Sequence, residues 1–249
     1  MARSLAACLF VLLISPVDIA AQVPESGAPV PPRTVWDGVY SVAQAERGGE
    51  AYTNHCAGCH RDDLSGYDGL LRGRRFMEKF REASLHLLFD KTKTTMPRGA
   101  AGSLSDAMYV DIVSHVLRMN DFPSGDRELT LEDVPAVKLV GKGGAEPVPN
   151  FSLVRVVGCL GRKENAWILS NATEPVRTGN PQPAPEERSA ASPALSGIST
   201  FGLMVSAAYS PADHADRIVE VRGLLIRQPS GNRLNVTSLE TVGPPCTPE

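Results

Sequence analysis

Apolar positions recur at two different periods along this chain, and the change between them falls near its middle. Between Ser105 and Asn120 the apolar residues Met108, Tyr109, Ile112, Val113, Val116 and Leu117 follow the i, i+3, i+4 spacing of one face of a helix. Ser105 is a good N-cap, Asp106 favours the first turn, and Pro123 stops any continuation. Ser41 likewise opens a helix over 42–54, with Ala43, Ala45, Ala51 and Tyr52 on it, and a further helix is expected over 84–93. After Gly125 the helical period disappears. Short apolar runs at 153–160, 166–169, 201–207, 218–226 and 233–242 read as strands, divided by turns such as Pro229-Ser230-Gly231-Asn232. Pro211 after Ser210 marks a short helix start.

These patterns divide the chain. Residues 1–21 carry Arg3, an apolar run from Leu5 to Ile14 and the small pair Ala20-Ala21, the layout of a signal peptide cleaved near Ala21. The run is shorter than the roughly 20 residues a membrane-spanning helix needs, so no transmembrane anchor is expected. Residues 22–35 form a leader with Pro24, Pro29, Pro31 and Pro32. A helical domain over 36–125 and a linker over 126–150 follow, the linker marked by Pro135, Gly143-Gly144, Pro147 and Pro149. The remainder, 151–249, is β-rich, with a Pro/Ala/Ser-rich mobile loop at 178–197. The expected fold class is multidomain: an all-α domain followed by a small all-β domain, an OB-like barrel in outline.

Charge adds little. The net charge of −3 across 249 residues gives no basis for nucleic acid as a partner. The cysteines add more. Cys8 leaves with the signal peptide, and Cys56, Cys59, Cys159 and Cys246 remain. Cys159 lies in the first expected strand and Cys246 beyond the last, so a disulfide between them is expected in an oxidising, exported setting.

The other two cysteines fall in Asn54-His55-Cys56-Ala57-Gly58-Cys59-His60-Arg61. Three chemistries compete for this stretch. A structural zinc site needs four ligands, usually from two clusters, and the remaining histidines (His86, His115, His214) stand singly. A dithiol switch needs a preceding strand and a helix start, and no strand pattern precedes Cys56. Covalent haem attachment needs Cys-x-x-Cys-His, which Cys56, Cys59 and His60 supply in full. An electron-transfer haem also needs a second axial ligand. Met96, in the loop Thr94-Thr95-Met96-Pro97, is the candidate, and His55, His86 and His115 are its rivals.

Ala45-Glu46-Arg47-Gly48, Cys56-Ala57-Gly58-Cys59-His60, Thr94-Thr95-Met96-Pro97, Gly102-Ser103-Leu104-Ser105-Asp106 and Asn120-Asp121-Phe122-Pro123 together resemble a class I monohaem cytochrome c, of the kind that accompanies exported bacterial quinoprotein dehydrogenases. The resemblance covers 36–125. It implies an all-α cytochrome c fold, one covalent haem c on Cys56 and Cys59, axial ligation by His60 and Met96, and one-electron transfer rather than catalysis. Many relatives carry a proline in the loop after the histidine. Here the loop reads Tyr67-Asp68-Gly69-Leu70-Leu71, which leaves the carbonyl of Gly69 or Leu70 to orient the imidazole. The implied partner is a redox protein in the periplasm or another exported compartment, a quinoprotein dehydrogenase among the candidates. The alternative is a haem-based redox or gas sensor, or a peroxidase-like enzyme, with the β domain as output or docking module. Leu71, Phe76, Phe80, Leu88, Leu104 and Ile112 are candidate pocket residues. Between Arg72 and Arg98 eight basic residues stand against three acidic ones, a local charge of +5 suited to haem propionates or an acidic partner.

Overall fold

The structure is a computed structural model that describes residues 33–66, 70–183 and 197–246. The expected signal peptide at 1–21, most of the leader, Gly69 and most of the expected loop at 178–197 lie outside the described residues.

Two helices organise the first half. Helix α1 (Val42–His55) is capped by Ser41, whose side chain accepts from the Gln44 N–H. Helices α2 (Ala57–His60), α3 (Gly73–Phe80) and α4 (Leu85–Thr95) follow. Helix α5 (Asp106–Met119) is capped by Ser105, which accepts from the Met108 N–H. It buries Tyr109, Val110, Ile112, Val113, Val116 and Leu117. Helices α1 and α5 cross in backbone contact at Gly48. A Cβ at that position would lie 1.9 Å from the Asp111 carbonyl oxygen. Arg47 secures the crossing from outside, pairing with Asp111 at 3.3 Å and Glu128 at 2.9 Å.

The expectation of an all-α cytochrome c fold followed by a small all-β domain is overturned, because the chain is a mixed α/β structure. Strand β1 (Ala83–Ser84) lies between α3 and α4 and pairs antiparallel with β2 (Lys138–Leu139). The reason lies in the stretch read as a linker. Its apolar residues Leu129, Val134, Val137 and Leu139 are buried in the core built on α1 and α5. The Gln44 amide both donates to the Leu129 carbonyl and accepts from its N–H, each at 2.8 Å. Pro135 and the glycine pair signal irregular backbone, and irregular backbone can still be packed against a core.

The second half holds β3 (Leu153–Lys163), β4 (Ala166–Ala172), β5 (Val176–Arg177), β6 (Ser199–Met204), β7 (Arg217–Gln228) and β8 (Gly231–Pro245). Their order in the sheet is β4-β6-β8-β7-β3-β5, and β4 also pairs with β3. Five strands therefore close on themselves, with β5 added at the side of β3. The β6–β8 pairing is parallel and the others are antiparallel. Alternate residues Val154, Val156, Val219, Val221, Leu225 and Leu234 fill the interior. Cys159 and Cys246 are joined by a disulfide across a sequence separation of 87, tying β3 to the end of β8. Among the described residues no helix is long and apolar enough to cross a membrane.

The Gly48 contact makes a direct demand on stability. Gly48→Ala places a methyl group against the Asp111 carbonyl and forces the helices apart. The variant is predicted to lose about 1–3 kcal/mol in urea unfolding, and unchanged stability would show that the crossing tolerates separation.

Candidate functional site

Both crossing helices contribute to one cavity of about 230 Å³. Tyr52, His55, Cys56, Cys59 and His60 line it from the end of α1 and from α2, and Ile112, Val113 and Val116 from α5. Leu71, Phe80, Leu88, Thr92 and Met96 complete most of the wall.

Local backbone bonding explains why the motif converges there. At Cys56 the helix breaks, with φ −126°, yet its N–H still donates to Tyr52 at 2.7 Å. Helix α2 restarts at once, and the His60 N–H donates to the Cys56 carbonyl at 2.9 Å. Cys59 and His60 are three and four residues after Cys56, the spacing that shares one helical face. The Tyr52 hydroxyl donates to the Arg61 carbonyl at 3.0 Å and closes the turn behind them.

Met96 reaches the same cavity from forty residues away. It is the C-cap of α4, its N–H donating to Thr92 at 2.9 Å. Its carbonyl accepts from the buried Tyr109 hydroxyl at 2.8 Å, which pins the loop to α5. Asn120 does similar work beside Leu71. Its amide donates to the Leu71 carbonyl at 2.9 Å and accepts from the Gly73 N–H at 2.8 Å.

Burial sets the protonation states. It pulls the His60 pKa below the ordinary histidine value, so the imidazole is neutral at neutral pH and able to act as a metal ligand. Burial, with a smaller contribution from Cys59, pushes the Cys56 thiol up to about 11. A thiol held that high is a poor nucleophile for disulfide exchange. Cys56 and Cys59 are both free cysteines. Among the described residues no group of three or more His, Cys, Asp or Glu side chains converges as a metal site. Cys56, Cys59, a neutral His60 and Met96 are the residues here that could hold a c-type haem, and the wall is largely aliphatic and aromatic.

Of the rival ligands, His55 lines the cavity. His86 is exposed and stacks on Phe89, the centroids 6.5 Å apart. His115 packs against Gly49 and lies 5.2 Å from the Tyr52 ring, its pKa lowered mainly by burial. Among the candidate pocket residues Leu71, Phe80, Leu88 and Ile112 line the cavity. Phe76 is buried behind, 5.3 Å from the Phe80 ring, and Leu104 packs on the core. Sequence reasoning placed Tyr52 and Tyr109 on helix faces and Asn120 at a helix end but gave none of them a role in the site; a buried Tyr hydroxyl or Asn amide needs a polar partner, and that was the available signal. Of Gly69 and Leu70, whose carbonyls were the expected imidazole acceptors, Gly69 lies outside the described residues and Leu70 lines the cavity.

The rim is basic. Lys79, Lys91 and Arg98 line the cavity, and the described lining holds no carboxylate. Others of the basic run are paired locally: Arg74 with Glu78, Arg81 with Glu146, and Lys93 with Asp106. Compared with known proteins, the chain matches no family model and shows no significant similarity to a curated protein or a solved structure.

The raised Cys56 pKa is testable in chain made without haem. At pH 8 iodoacetamide is predicted to label the exposed Cys59 well before Cys56, and Cys56 labelling should climb as the pH approaches about 11. Equal labelling at pH 8 would contradict the burial argument.

Proposed function

We propose that the chain is an exported c-type cytochrome in function, carrying single electrons on one haem held by Cys56 and Cys59, with His60 and Met96 as axial ligands. The observation that carries this reading is that Met96 lines the same cavity as the complete Cys-x-x-Cys-His motif. Haem, when bound, supplies an iron that exchanges one electron between its ferric and ferrous states. The chain's own residues do the rest. His60 is kept neutral by burial and can donate to iron. Met96 offers a thioether, which raises the reduction potential relative to a second histidine. Leu71, Phe80, Leu88, Ile112, Val113 and Val116 exclude water and so disfavour the more charged ferric state. Two side chains able to ligate the iron, His60 and Met96, would leave it no open position, which favours electron transfer over catalysis.

Lys79, Lys91 and Arg98 place positive charge at the rim, where haem carboxylates and an acidic redox partner would both be met. A periplasmic quinoprotein dehydrogenase is the partner proposed. The Cys159–Cys246 disulfide supports an oxidising compartment such as the periplasm.

In the haem-loaded protein the far-red absorption band of Met–iron ligation is predicted. Met96→Ala should abolish it and allow carbon monoxide to bind the reduced protein; a wild-type spectrum without the band, open to carbon monoxide, would count against the reading. Electron transfer to an anionic acceptor should also slow between roughly 0.01 and 0.15 M salt, as the screening length falls from about 30 to about 8 Å. A rate indifferent to salt would remove the role given to the basic rim.

A further inference from the structure

One short elbow, the residues that join α3 to α4, is gripped both by the β half, through Arg177, and by the stretch before it, through Lys138 and Glu146. Arg177 on β5 donates from Nη1 to the Arg81 carbonyl at 2.6 Å. The Arg81 guanidinium pairs with Glu146. Glu82 is only 2% exposed. Its Oε1 accepts from the Glu146 N–H at 2.9 Å, and its Oε2 meets Lys138 Nζ at 2.9 Å. Leu87 packs on Gly179 so closely that a Cβ there would meet its Cδ1 at 2.7 Å.

The residues that grip the elbow are themselves fixed. Arg222, 1% exposed, donates from Nη1 to the carbonyls of Asn180 and Gln182, each at 3.2 Å. Its Nε donates to Glu220 Oε1 at 2.9 Å. The Thr237 hydroxyl donates to the Pro181 carbonyl at 2.9 Å. Residues 178–182, at the described start of the stretch expected to be mobile, are therefore anchored to β7 and β8.

The position of the elbow gives these contacts their consequence. Phe80 immediately precedes Arg81 and Leu88 immediately follows Leu87, and both line the cavity. Arg81 is the C-cap of α3, where carbonyls lack intrahelical partners. A guanidinium there satisfies one of them and opposes the negative end of the helix. Glu82 adopts φ 62°, a left-handed conformation uncommon outside glycine. It is held there by its N–H bond to the Leu139 carbonyl at 2.7 Å. A helix of eight residues is too short to hold its own end in water, so the end of α3 depends on what grips it.

We propose that the β half braces the cavity wall, with Arg177 as a positioning residue that fixes Phe80 and Leu88 beside the bound haem. What is positioned rests on the haem reading; the grip on the elbow does not. The second half of the chain thereby has a task within the molecule, reaching the site through Arg177 and Gly179 without lining it.

Arg177→Met in the full-length chain tests this in two ways. Amide hydrogen exchange read by mass spectrometry should quicken about tenfold over residues 76–88 and stay unchanged over α1 and α5. In the haem-loaded protein imidazole should displace Met96 at about one tenth of the concentration the wild type requires. Gly179→Val presses on Leu87 from the same stretch and is predicted to do likewise, which keeps the test alive if Arg177→Met fails to fold. Unchanged exchange over 76–88, or an equal rise throughout α1 and α5, would overturn the brace. Local quickening with wild-type resistance to imidazole would overturn the positioning role. A wild-type chain that carries no covalent haem would end the haem reading, and the exchange experiment would still decide the brace.

Discussion

Close approach of α1 and α5 at Gly48 is the constraint on which the site depends. With a side chain at that position the helices could not meet backbone to backbone. Because they do, the end of α1, Cys56 and the last two residues of α2 share a cavity with Ile112, Val113 and Val116. Helix α5 then acts as the frame for distant pieces of chain. Tyr109 binds the Met96 carbonyl, and Asn120, its C-cap, clamps the backbone at Leu71 and Gly73. A single crossing thus gathers the motif, the methionine and the wall between them.

Burial then does the electrical work. The same desolvation that keeps His60 neutral raises the Cys56 thiol. Neutral histidine suits metal binding, and a high thiol pKa removes Cys56 from exchange chemistry. Among the described lining residues, Lys79, Lys91 and Arg98 bring positive charge at exposed positions, while the rest of the wall is largely aliphatic and aromatic. Such an interior favours the less charged state of an iron centre, and such a rim favours anionic groups at its mouth.

Much of the site was legible in the sequence because its signals are local. The Cys56–His60 spacing places three side chains on one helical turn, and the period through Met108, Ile112 and Val116 marks the face that α5 buries. The fold was less legible. Residues 126–140 carry turn signals, but their core contacts are with Gln44 and with residues far away in sequence. Strand β1 is two residues long, so no alternation could announce it, and its pairing with β2 is what makes the first half mixed rather than all-α. Helix α3 has only Phe76 and Phe80 buried, too few to establish a period. Tyr109 and Asn120 sit on a helix whose apolar stripe was clear, but their partners are backbone carbonyls that only the folded chain brings near.

The proposed electron-transfer role requires covalent attachment of haem at Cys56 and Cys59. Its most direct test is the mass of the tryptic peptide spanning residues 48–61 from protein produced in cells that mature c-type haem. With haem attached, this peptide is expected to carry the added mass of one haem, with neither Cys56 nor Cys59 open to alkylation. A peptide of unmodified mass with two alkylatable thiols, or with Cys56 and Cys59 joined to each other, would contradict it.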